Sequence, residues 1–505
     1  MVEKQQSILS TPLPHREGQG GESDLIIIGA GPGGYRAAEY AAKQGLKVVI
    51  FEDDNVGGTC LNVGCIPTKT YVHSATFDEA RERMAQVVPQ LRAGVEGILS
   101  HPNITLVREK ASFVNHGDCP CDSSEAKIMG TVPVILAGQE TYAAKNIIIA
   151  TGSETKWLPI AGCDDPRVVD STGLLNLETL PKRLCIIGAG VIGMEFASVF
   201  HRFGSEVTVI EFLKECLPAL DSDIAKRLRK QMEKEGITFH MQCTVKQIAD
   251  GEVFFENKKG QTESVEADVI LMATGRKPRT AGLNLEALGI TLAPNGAIPV
   301  DDNFQYCSNH NSHCVPHSDL QVREFSIVNS QLPKVYAIGD ANGRQMLAHA
   351  AEMQAIRAVN HILGKQDNIR FDIMPAAIFT SPEAACVGPT EDQLKATVAN
   401  GFAVGTPDSP VGASYECRKS FWRANGKAMA MDETEGMLKL FIASPSQEGG
   451  GGESLILGCH AYGAHSADII QEVAALMCRD TTLQQLRDII HIHPTLGEIL
   501  KAATE

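Results

Sequence analysis

The sequence predicts an α/β protein with two similar strand–helix–strand units followed by a C-terminal α+β block. The main observation is a repeat, because DLIIIGAGPGGYRAAEYAAKQGLKVVIFE at 24–52 is echoed by RLCIIGAGVIGMEFASVFHRFGSEVTVIE at 183–211. Each copy has the pattern of a strand, a glycine-rich turn, a helix and a second strand, as in a Rossmann-like domain. After about residue 374, strand-like runs precede the helical pattern ADIIQEVAALMCRD, which predicts a third domain of mixed type.

Each copy of the repeat contains a turn that is typical of a dinucleotide-binding site. The turns follow the G-x-G-x-x-G spacing, with glycines at Gly29, Gly31 and Gly34 and at Gly188, Gly190 and Gly193. Such glycines let backbone N–H groups and the positive helix end approach a pyrophosphate. Glu52 and Glu211 each stand 23 residues after the first glycine of their copy, where a carboxylate can accept hydrogen bonds from ribose hydroxyls. The repeat therefore predicts sites for two dinucleotides.

Three further apolar strands end in turns that belong with these sites. NIIIATGS at 146–153 and VILMATGRKP at 269–278 each close with an Ala-Thr-Gly turn, whose glycines are Gly152 and Gly275. KVYAIGD ends in Asp340. We expect these turns to complete the two nucleotide-binding units, since ligands bind at the carboxyl ends of parallel strands.

Length and composition exclude several other classes of protein. The chain has 505 residues, enough for about three domains. Its formal charge of −16 disfavours nucleic acid as a partner, and no apolar run reaches the roughly 18 residues that span a membrane. The first 23 residues lack the apolar stretch of a secretory signal, and 14 cysteines are too sparse for a disulfide-stapled scaffold. We therefore expect a cytoplasmic protein with a flexible N-terminal tail.

Cys60 and Cys65 follow the first predicted nucleotide unit, in the segment GGTCLNVGC. On an ideal helix, residues five apart have Cα atoms about 8.6 Å apart, beyond the limit of about 7 Å for a disulfide. A bridge therefore needs a distorted first turn, which Gly57, Gly58 and Gly64 permit. A cysteine pair beside a nucleotide site indicates redox chemistry, and the alternative is two unrelated buried thiols.

Three polar segments, at 116–127, 307–324 and 446–454, interrupt the pattern and are interpreted as surface loops or insertions. The middle segment holds residue types that bind zinc, namely Cys307, His310, His313, Cys314 and His317. Their spacing matches no standard zinc finger, so a solvated insertion is the favoured interpretation. No metal site is predicted.

The motifs together identify a resemblance. In order along the chain, GAGPGGY, GGTCLNVGCIPTK, GAGVIGMEF, ATGRKP, YAIGD, SPEAACVG and HPTLGE resemble the pyridine nucleotide–disulfide oxidoreductase family, and within it the dihydrolipoamide dehydrogenases. The resemblance covers about 24–505 apart from the insertions. It implies a homodimeric flavoprotein that oxidises dihydrolipoamide to lipoamide through a redox-active disulfide and FAD, and passes hydride to NAD. It also implies a place in 2-oxoacid dehydrogenase or glycine-cleavage complexes, with their lipoyl domains as partners.

The resemblance also implies roles for single residues of the two nucleotide sites. It assigns Glu52 to the ribose of the flavin nucleotide, Asp340 to the ribityl region and Glu211 to the NAD ribose. The last assignment agrees with the sequence, because a carboxylate there repels the 2′-phosphate of NADP. Lys69 and Glu195 are implied to pair beneath the flavin ring.

A second set of roles concerns the thiol chemistry. The substrate thiolate is implied to attack Cys60, while Cys65 lies nearer the flavin. In the C-terminal IIHIHPTLGEIL, His493 matches the base of the family and Glu498 the carboxylate that orients it. His491 matches a nearby supporting histidine, or is simply structural. Since the cysteines and His493 lie far apart in sequence, the resemblance implies a site shared between two subunits.

The domain organisation follows from these assignments. We expect a tail (1–23), an FAD-binding domain (24–155), an NAD-binding domain (156–280), a central domain completing the FAD site (281–373, with a polar insertion at 306–326) and an interface or dimerisation domain (374–505).

Other activities of the same family stay open as alternatives. Glutathione-type reductases use NADPH, which Glu211 disfavours. Mercuric reductases and the larger thioredoxin reductases carry an extra C-terminal redox pair, where this chain has KAATE. A redox-inactive scaffold is the alternative of a different class, disfavoured by the intact cysteine pair and His–Glu pair.

Overall fold

A computed structural model describes residues 23–114, 134–138, 140–308, 333–400, 404–406, 409–412, 414–444 and 454–505. The predictions for the tail up to residue 22, for the segment 116–127 and for most of the two later polar segments lie outside these ranges. So do four of the five candidate zinc ligands, His310, His313, Cys314 and His317. Within the described ranges, no group of three or more His, Cys, Asp or Glu side chains is placed to hold a metal ion.

The strands are β1 (Ser23–Ile28), β2 (Val48–Phe51), β3 (Ile104–Val107), β4 (Ala111–Val114), β5 (Val134–Ala137), β6 (Glu140–Tyr142), β7 (Ala144–Ile149), β8 (Ser153–Thr155), β9 (Val168–Val169), β10 (Arg183–Ile187), β11 (Glu206–Glu211), β12 (Thr238–Met241), β13 (Thr244–Ala249), β14 (Glu252–Glu256), β15 (Thr262–Glu266), β16 (Val269–Met272), β17 (Arg276–Pro278), β18 (Lys334–Ala337), β19 (Ala376–Ile378), β20 (Ala384–Val387), β21 (Val404–Thr406), β22 (Ser409–Gly412), β23 (Ser414–Phe421), β24 (Met437–Ser444) and β25 (Ile456–Tyr462).

The α-helices are α1 (Pro32–Lys43), α2 (Gly58–Val63), α3 (Cys65–Val72), α4 (Phe77–Leu99), α5 (Ser171–Leu175), α6 (Val191–Phe203), α7 (Ser222–Glu235), α8 (Ala348–Ile362), α9 (Glu391–Ala399), α10 (Gly426–Ala430), α11 (Ser466–Met477), α12 (Leu483–Asp488) and α13 (Glu498–Ala502). No helix among the described residues has the length and apolar character that crossing a bilayer requires.

The first copy of the repeat forms a parallel sheet with strand order β18-β7-β1-β2-β3. Its central strand is an unbroken apolar run because both faces are covered, and Leu25, Ile26 and Ile27 are fully buried. β1 begins at Ser23, one residue inside the segment interpreted as a tail. Within the described part of 281–373, the one strand is β18, so this region completes the first sheet.

The second copy forms a parallel sheet of the same kind, with order β12-β11-β10-β16-β9. Strands β8 and β17 pair antiparallel, with Ser153 opposite Pro278. These two strands directly follow the two Ala-Thr-Gly turns, so their pairing joins the first unit to the second.

The C-terminal block is an antiparallel sheet, β19-β20-β25-β24-β23, with α11 packed on it. Its core contains the fully buried Trp422, whose indole N–H donates to the carbonyl of Ala464 at 3.1 Å. Smaller antiparallel sheets, β4-β5-β6 and β13-β14-β15, flank the two parallel sheets. The architecture is therefore two Rossmann-like units plus an α+β domain.

Candidate functional site

A cavity of about 1460 Å³ connects the two nucleotide-binding units. Its walls contain most of the residues that the sequence singled out. They are Gly29, Gly31, Glu52, Cys60, Cys65, Lys69, Gly152, Gly188, Gly190, Glu195, Glu211, Gly275 and Asp340. The fold therefore gathers residues up to 311 positions apart in sequence, from Gly29 to Asp340, around one space.

The glycines of the two turns divide into two kinds. A Cβ on Gly34 would lie 1.8 Å from the carbonyl oxygen of Gly29, and one on Gly193 would lie 2.0 Å from that of Gly188. Gly34 and Gly193 therefore allow the helix to pack closely against the turn, where any side chain would clash. Within the described part of the chain, a Cβ on Gly31 would have its nearest neighbour 3.9 Å away, and one on Gly190 would have none within 4 Å. The open space at these two helix N-termini fits a pyrophosphate bound to backbone N–H groups.

The two carboxylates at the strand ends occupy equivalent positions. Glu52 accepts hydrogen bonds from the N–H groups of Ala30 at 2.7 Å and Asp54 at 3.0 Å. Glu211 likewise accepts from Ala189 at 2.5 Å and Leu213 at 2.7 Å. Burial raises the pKa of Glu52, and its two N–H donors partly offset this effect. Each carboxylate oxygen keeps a free lone pair, so a ribose hydroxyl can still donate to it.

Asp340 lies where the end of β18 meets the paired strands β8 and β17. It is in the short turn of helix Gly339–Asn342 after β18, and the hydroxyl of Ser153 donates to its carboxylate at 2.5 Å. Arg276 in turn donates to the Ser153 hydroxyl at 2.7 Å. Burial raises the pKa of Asp340, while Ser153 and the Arg276 charge act in the opposite direction. Sequence reasoning missed Ser153, although it directly follows Gly152 in the Ala-Thr-Gly turn.

The cysteine pair lies on two short helices rather than on one. Helix α2 ends at Val63 and α3 begins at Cys65, so Gly64 separates them. A Cβ on Gly64 would lie 2.8 Å from the carbonyl oxygen of Thr59, which restricts this position to glycine. The break supplies the distortion that a bridge between Cys60 and Cys65 needs. In this structure both are thiols, with Cys60 half-buried and Cys65 exposed to the cavity.

The two thiols differ in acidity because one stabilises the other. A hydrogen bond from the Cys60 thiol, together with the nearby Lys69 charge, lowers the pKa of Cys65 to about 7. The same hydrogen bond, together with burial, raises the pKa of Cys60. Cys65 is therefore the thiolate of the pair near neutral pH, which is the nucleophilic form of a cysteine.

Lys69 and Glu195 form the ion pair that the resemblance implied. The Lys69 ammonium lies 3.0 and 3.1 Å from the two carboxylate oxygens of Glu195, which is 5% exposed. The backbone N–H of Phe379 also donates to Glu195 at 3.0 Å, and the Phe379 ring lies 4.3 Å from the Lys69 ammonium. Sequence reasoning missed Phe379, which lies only two residues before the SPEAACVG motif. The buried charge on α6 is thus fully paired.

Asn62 and Arg92 hold the cysteine segment in place and were also missed. The Asn62 amide donates to the carbonyls of Val56 and Gly58, each at 3.0 Å, and Arg92 donates to the Asn62 oxygen at 2.9 Å. Asn62 could have been identified from the sequence, because it lies between the two cysteines. Arg92 on α4 carried none.

His493 and Glu498 lie together, but away from the cavity. The Nδ1 atom of His493 is 2.9 Å from a Glu498 oxygen, and the other oxygen accepts from the N–H of Thr495 at 2.9 Å. These hydrogen bonds, that of Thr495 first, lower the pKa of Glu498. The His493 side chain is 79% exposed, and neither residue lines the cavity. A single chain therefore does not bring His493 to the cysteines.

His491 has a different partner from His493. Its Nε2 atom lies 3.1 Å from a carboxylate oxygen of Glu472 on α11. Its Nδ1 atom is buried and has no hydrogen-bond partner among the described residues. The neighbouring side chains Ile490 and Ile492 are 95% and 78% exposed. The side chain of His491 is thus buried, while Ile490 before it and Ile492 after it are exposed.

Comparison with known proteins gives the family. Residues 23–355 match the model described as pyridine nucleotide-disulphide oxidoreductase, and residues 374–504 match the dimerisation domain of the same family. Dihydrolipoyl dehydrogenase, mitochondrial, of Pisum sativum is 34% identical over 95% of this chain and 91% of that protein. Leghemoglobin reductase of Glycine max is also 34% identical, over 95% of this chain and 87% of that protein.

A solved structure extends the comparison to the fold. The HOCl-induced flavoprotein disulfide reductase RclA from Escherichia coli superimposes with a TM-score of 0.76 at 29% identity, covering 95% of this chain and 99% of that chain. These matches confirm the predicted fold class, with its two nucleotide-binding units and C-terminal dimerisation domain.

Proposed function

Because the chain belongs to the pyridine nucleotide-disulphide oxidoreductase family, we propose that it is a dihydrolipoyl dehydrogenase that oxidises dihydrolipoamide to lipoamide with NAD as the final acceptor. One observation carries the proposal. The thiol pair Cys60–Cys65 lines the same cavity as both glycine-rich turns, with the Lys69–Glu195 ion pair beside it. The 34% identity to a dihydrolipoyl dehydrogenase supports the choice of substrate.

The residues of the cavity suit a flavin nucleotide in the first unit and NAD in the second. Gly31, Glu52 and Asp340 are the groups that would hold the flavin nucleotide, and Gly190 and Glu211 those that would hold NAD. The space beside Gly31 and Gly190, which the described residues leave open, supports this assignment. When bound, the flavin supplies a two-electron carrier between the enzyme dithiol and the pyridine nucleotide.

The thiol chemistry follows from the positions of the two cysteines. A base removes a proton from one substrate thiol, and the resulting thiolate attacks Cys60 of the disulfide, so that Cys65 leaves as a thiolate. The second substrate thiol then attacks the mixed disulfide, which releases the cyclic disulfide product and Cys60. The substrate loses two electrons and two protons, and the enzyme disulfide becomes a dithiol. The lowered pKa of Cys65, about 7, makes it a good leaving group.

We propose that the base is His493 of a second copy of the chain, oriented by Glu498. Glu498 holds Nδ1 of the imidazole, which leaves Nε2 free to accept the substrate proton. The 79% exposure of His493 and the exposed Ile490 and Ile492 support a position at a subunit interface. A homodimer with twofold symmetry then contains two composite sites.

The wider setting is part of the same proposal. Lipoyl domains of a 2-oxoacid dehydrogenase or glycine-cleavage complex would present the dithiol. The subunit would consist of the four domains expected from the sequence, preceded by the tail. The same proposal places the protein in the cytoplasm.

Steady-state kinetics test the proposal directly. The flavin-loaded protein is assayed with lipoamide and with glutathione disulfide, each with NADH and with NADPH. We expect turnover with lipoamide and NADH to exceed the other three combinations. A protein that turns over glutathione disulfide with NADPH at a comparable kcat/KM would overturn the assignment.

Reduction of a different disulfide or protein substrate is the second candidate. The similarity to RclA and to leghemoglobin reductase favours it, because both are named as reductases. The same assay separates the two candidates, since such a reductase would oxidise NADH without a preference for lipoamide.

A further inference from the structure

A buried cluster of charges joins the second nucleotide-binding unit to the C-terminal domain. Lys439, on strand β24 between β25 and β23, has 1% of its side chain exposed. Its ammonium lies 2.6 Å from a carboxylate oxygen of Asp221 and 2.6 Å from one of Glu391. Asp221 precedes α7 in the second unit, and its side chain is also 1% exposed. A lysine is rarely buried so completely unless it is paired.

The C-terminal domain contacts Asp221 from three directions. One carboxylate oxygen accepts from Lys439, and the other accepts from the backbone N–H of Glu391 at 3.0 Å. The backbone N–H of Asp221 donates to Nδ1 of His460 at 2.9 Å. His460 is fully buried, and burial lowers its pKa to about 4, so it is neutral and can accept this hydrogen bond. These hydrogen bonds therefore hold both the backbone and the side chain of Asp221 in position, and Lys439 neutralises its charge.

The chain that leads into Asp221 forms a wall of the second nucleotide site. Residues 217–220 line the cavity, and the N–H of Leu217 donates to the carbonyl of Ala189 at 3.0 Å. Ala189 lies in the second glycine-rich turn, and its own N–H donates to Glu211. Leu217 has φ +50°, a left-handed conformation that non-glycine residues adopt only when their surroundings impose it. Lys439 is thus linked to Glu211 by hydrogen bonds at both ends of the short covalent segment 217–221.

The cluster is a costly way to join two domains. Removing an ammonium and a carboxylate from water has a large penalty, which their attraction does not fully offset, and apolar side chains of similar volume often serve stability as well. Ionic and hydrogen-bonded contacts are directional, however, and hold one geometry where apolar contacts tolerate several. Directionality matters where a strained segment must keep its shape.

We propose that Lys439 is a positioning residue for the pyridine nucleotide: through Asp221 it holds the 217–220 wall against the second glycine-rich turn, where the N–H of Ala189 donates to Glu211. The inference rests on the proposed function, in which the second unit binds NAD. Lys439 does not line the cavity, so it acts through Asp221 and not by contact with the nucleotide.

The test compares nucleotide binding and thiol chemistry in flavin-loaded Lys439→Met. We expect the KM and the directly measured Kd for NADH to rise about tenfold. Flavin content and the rate of reduction by dihydrolipoamide should stay unchanged, because the cysteines lie on other elements. Asp221→Asn, which keeps the helix cap but removes the charge, should change the NADH affinity in the same direction by a smaller factor.

The matched control breaks another ion pair that is largely buried. Asp367→Asn removes the 2.7 Å pair between Asp367 and Arg357, which belongs to the first unit, and should leave the NADH affinity unchanged. A folded Lys439→Met protein with unchanged NADH affinity would overturn the inference. So would failure of both cluster variants to fold, because the cluster would then support the whole fold. If the wild-type protein itself binds no NADH, the proposed function fails instead.

Discussion

The cysteine pair and the His493–Glu498 pair are built for opposite surroundings. Cys60 and Cys65 line a cavity whose walls come from both nucleotide-binding units, and the Lys69–Glu195 ion pair lies beside them. His493 has 79% of its side chain in solvent and a single carboxylate partner. The groups proposed for the disulfide chemistry therefore lie together within one chain. The proposed base, His493, needs a second chain to reach a substrate at the cysteines.

The difference has a physical reason. A cysteine forms a thiolate near neutral pH only when a hydrogen-bond donor and a nearby positive charge lower its pKa, so these groups must be held in place around it. A base supplied by a second subunit must instead project outward, and the apolar side chains around it lose water when the subunits associate. Variants on each side should therefore affect different half-reactions.

The largest effect is expected at the cysteines. Cys65→Ser should abolish turnover, because no disulfide can form. Partial reduction of the flavin-loaded wild-type protein should produce a long-wavelength thiolate-to-flavin absorption, which Cys65→Ser loses. Cys60→Ser is the matched control, since it also abolishes turnover but keeps the Cys65 thiolate and therefore the band. A wild-type protein without the band would contradict the assignment of Cys65.

His493→Ala should slow dihydrolipoamide oxidation by about 10² to 10⁴-fold, the usual contribution of a positioned general base. Reduction of the enzyme by NADH should be unaffected, because that half-reaction uses the cavity side alone. Rapid-mixing measurements of the two half-reactions check this division. If His493→Ala slowed both half-reactions equally, His493 would not act on dihydrolipoamide oxidation alone.

Mixed dimers test whether the two sides belong to different subunits. Cys60→Ser and His493→Ala subunits, each inactive as homodimers, are combined under conditions that exchange chains. A heterodimer then has one intact site and should recover up to half of the wild-type activity per dimer. Demonstrated exchange without recovered activity would disprove the shared site.

Lys69→Met should raise the pKa of Cys65 from about 7, because the ammonium favours the thiolate. Losing a neighbouring opposite charge shifts a pKa by about one to three units. The thiolate fraction at pH 7 would fall from about half to a tenth or less. A pH titration of the long-wavelength absorption measures it. Glu195→Gln is a control with the opposite expected result: it should lower the pKa of Cys65, because the Glu195 charge raises that pKa.

The smallest effect is expected at Glu211. Glu211→Ala should narrow the preference for NAD over NADP by about tenfold, since the repulsion of the 2′-phosphate disappears. NAD binding should also weaken, because Glu211 holds the N–H groups of Ala189 and Leu213. The ratio of kcat/KM values for the two nucleotides checks the change. Comparable wild-type values for both would contradict the role of Glu211.

Most of the fold was predictable, because its signals are local. A glycine-rich turn between a strand and a helix can be recognised within about 30 residues, and two copies predicted two parallel sheets. The same local signal could not distinguish Gly31 from Gly34. Both fit the motif, but only packing shows that Gly34 is restricted by the carbonyl of Gly29 while Gly31 borders open space.

The candidate site was predictable where chemistry and motif coincide. Cys60, Cys65, Lys69 and Glu195 stand in recognisable segments, and the structure brings them together. Phe379, Arg92 and Lys439 stand in no chemical motif, since a phenylalanine near a strand or a lysine within one has no function until its neighbours are known. Their contacts arise from segments more than 25 positions away in sequence.

Residue order alone specified the two parallel sheets, the turns at their edges and the reactive side chains, because each depends on neighbours within one or two elements. The three-dimensional packing specified the rest: the helix break at Gly64, the acidity of Cys65 and the buried contact of Lys439 with Asp221. Burial and distance set pKa values and ion pairing, and both depend on which distant segments meet. In the proposed shared site, the contacts of the exposed His493 would depend on how two copies of the chain associate.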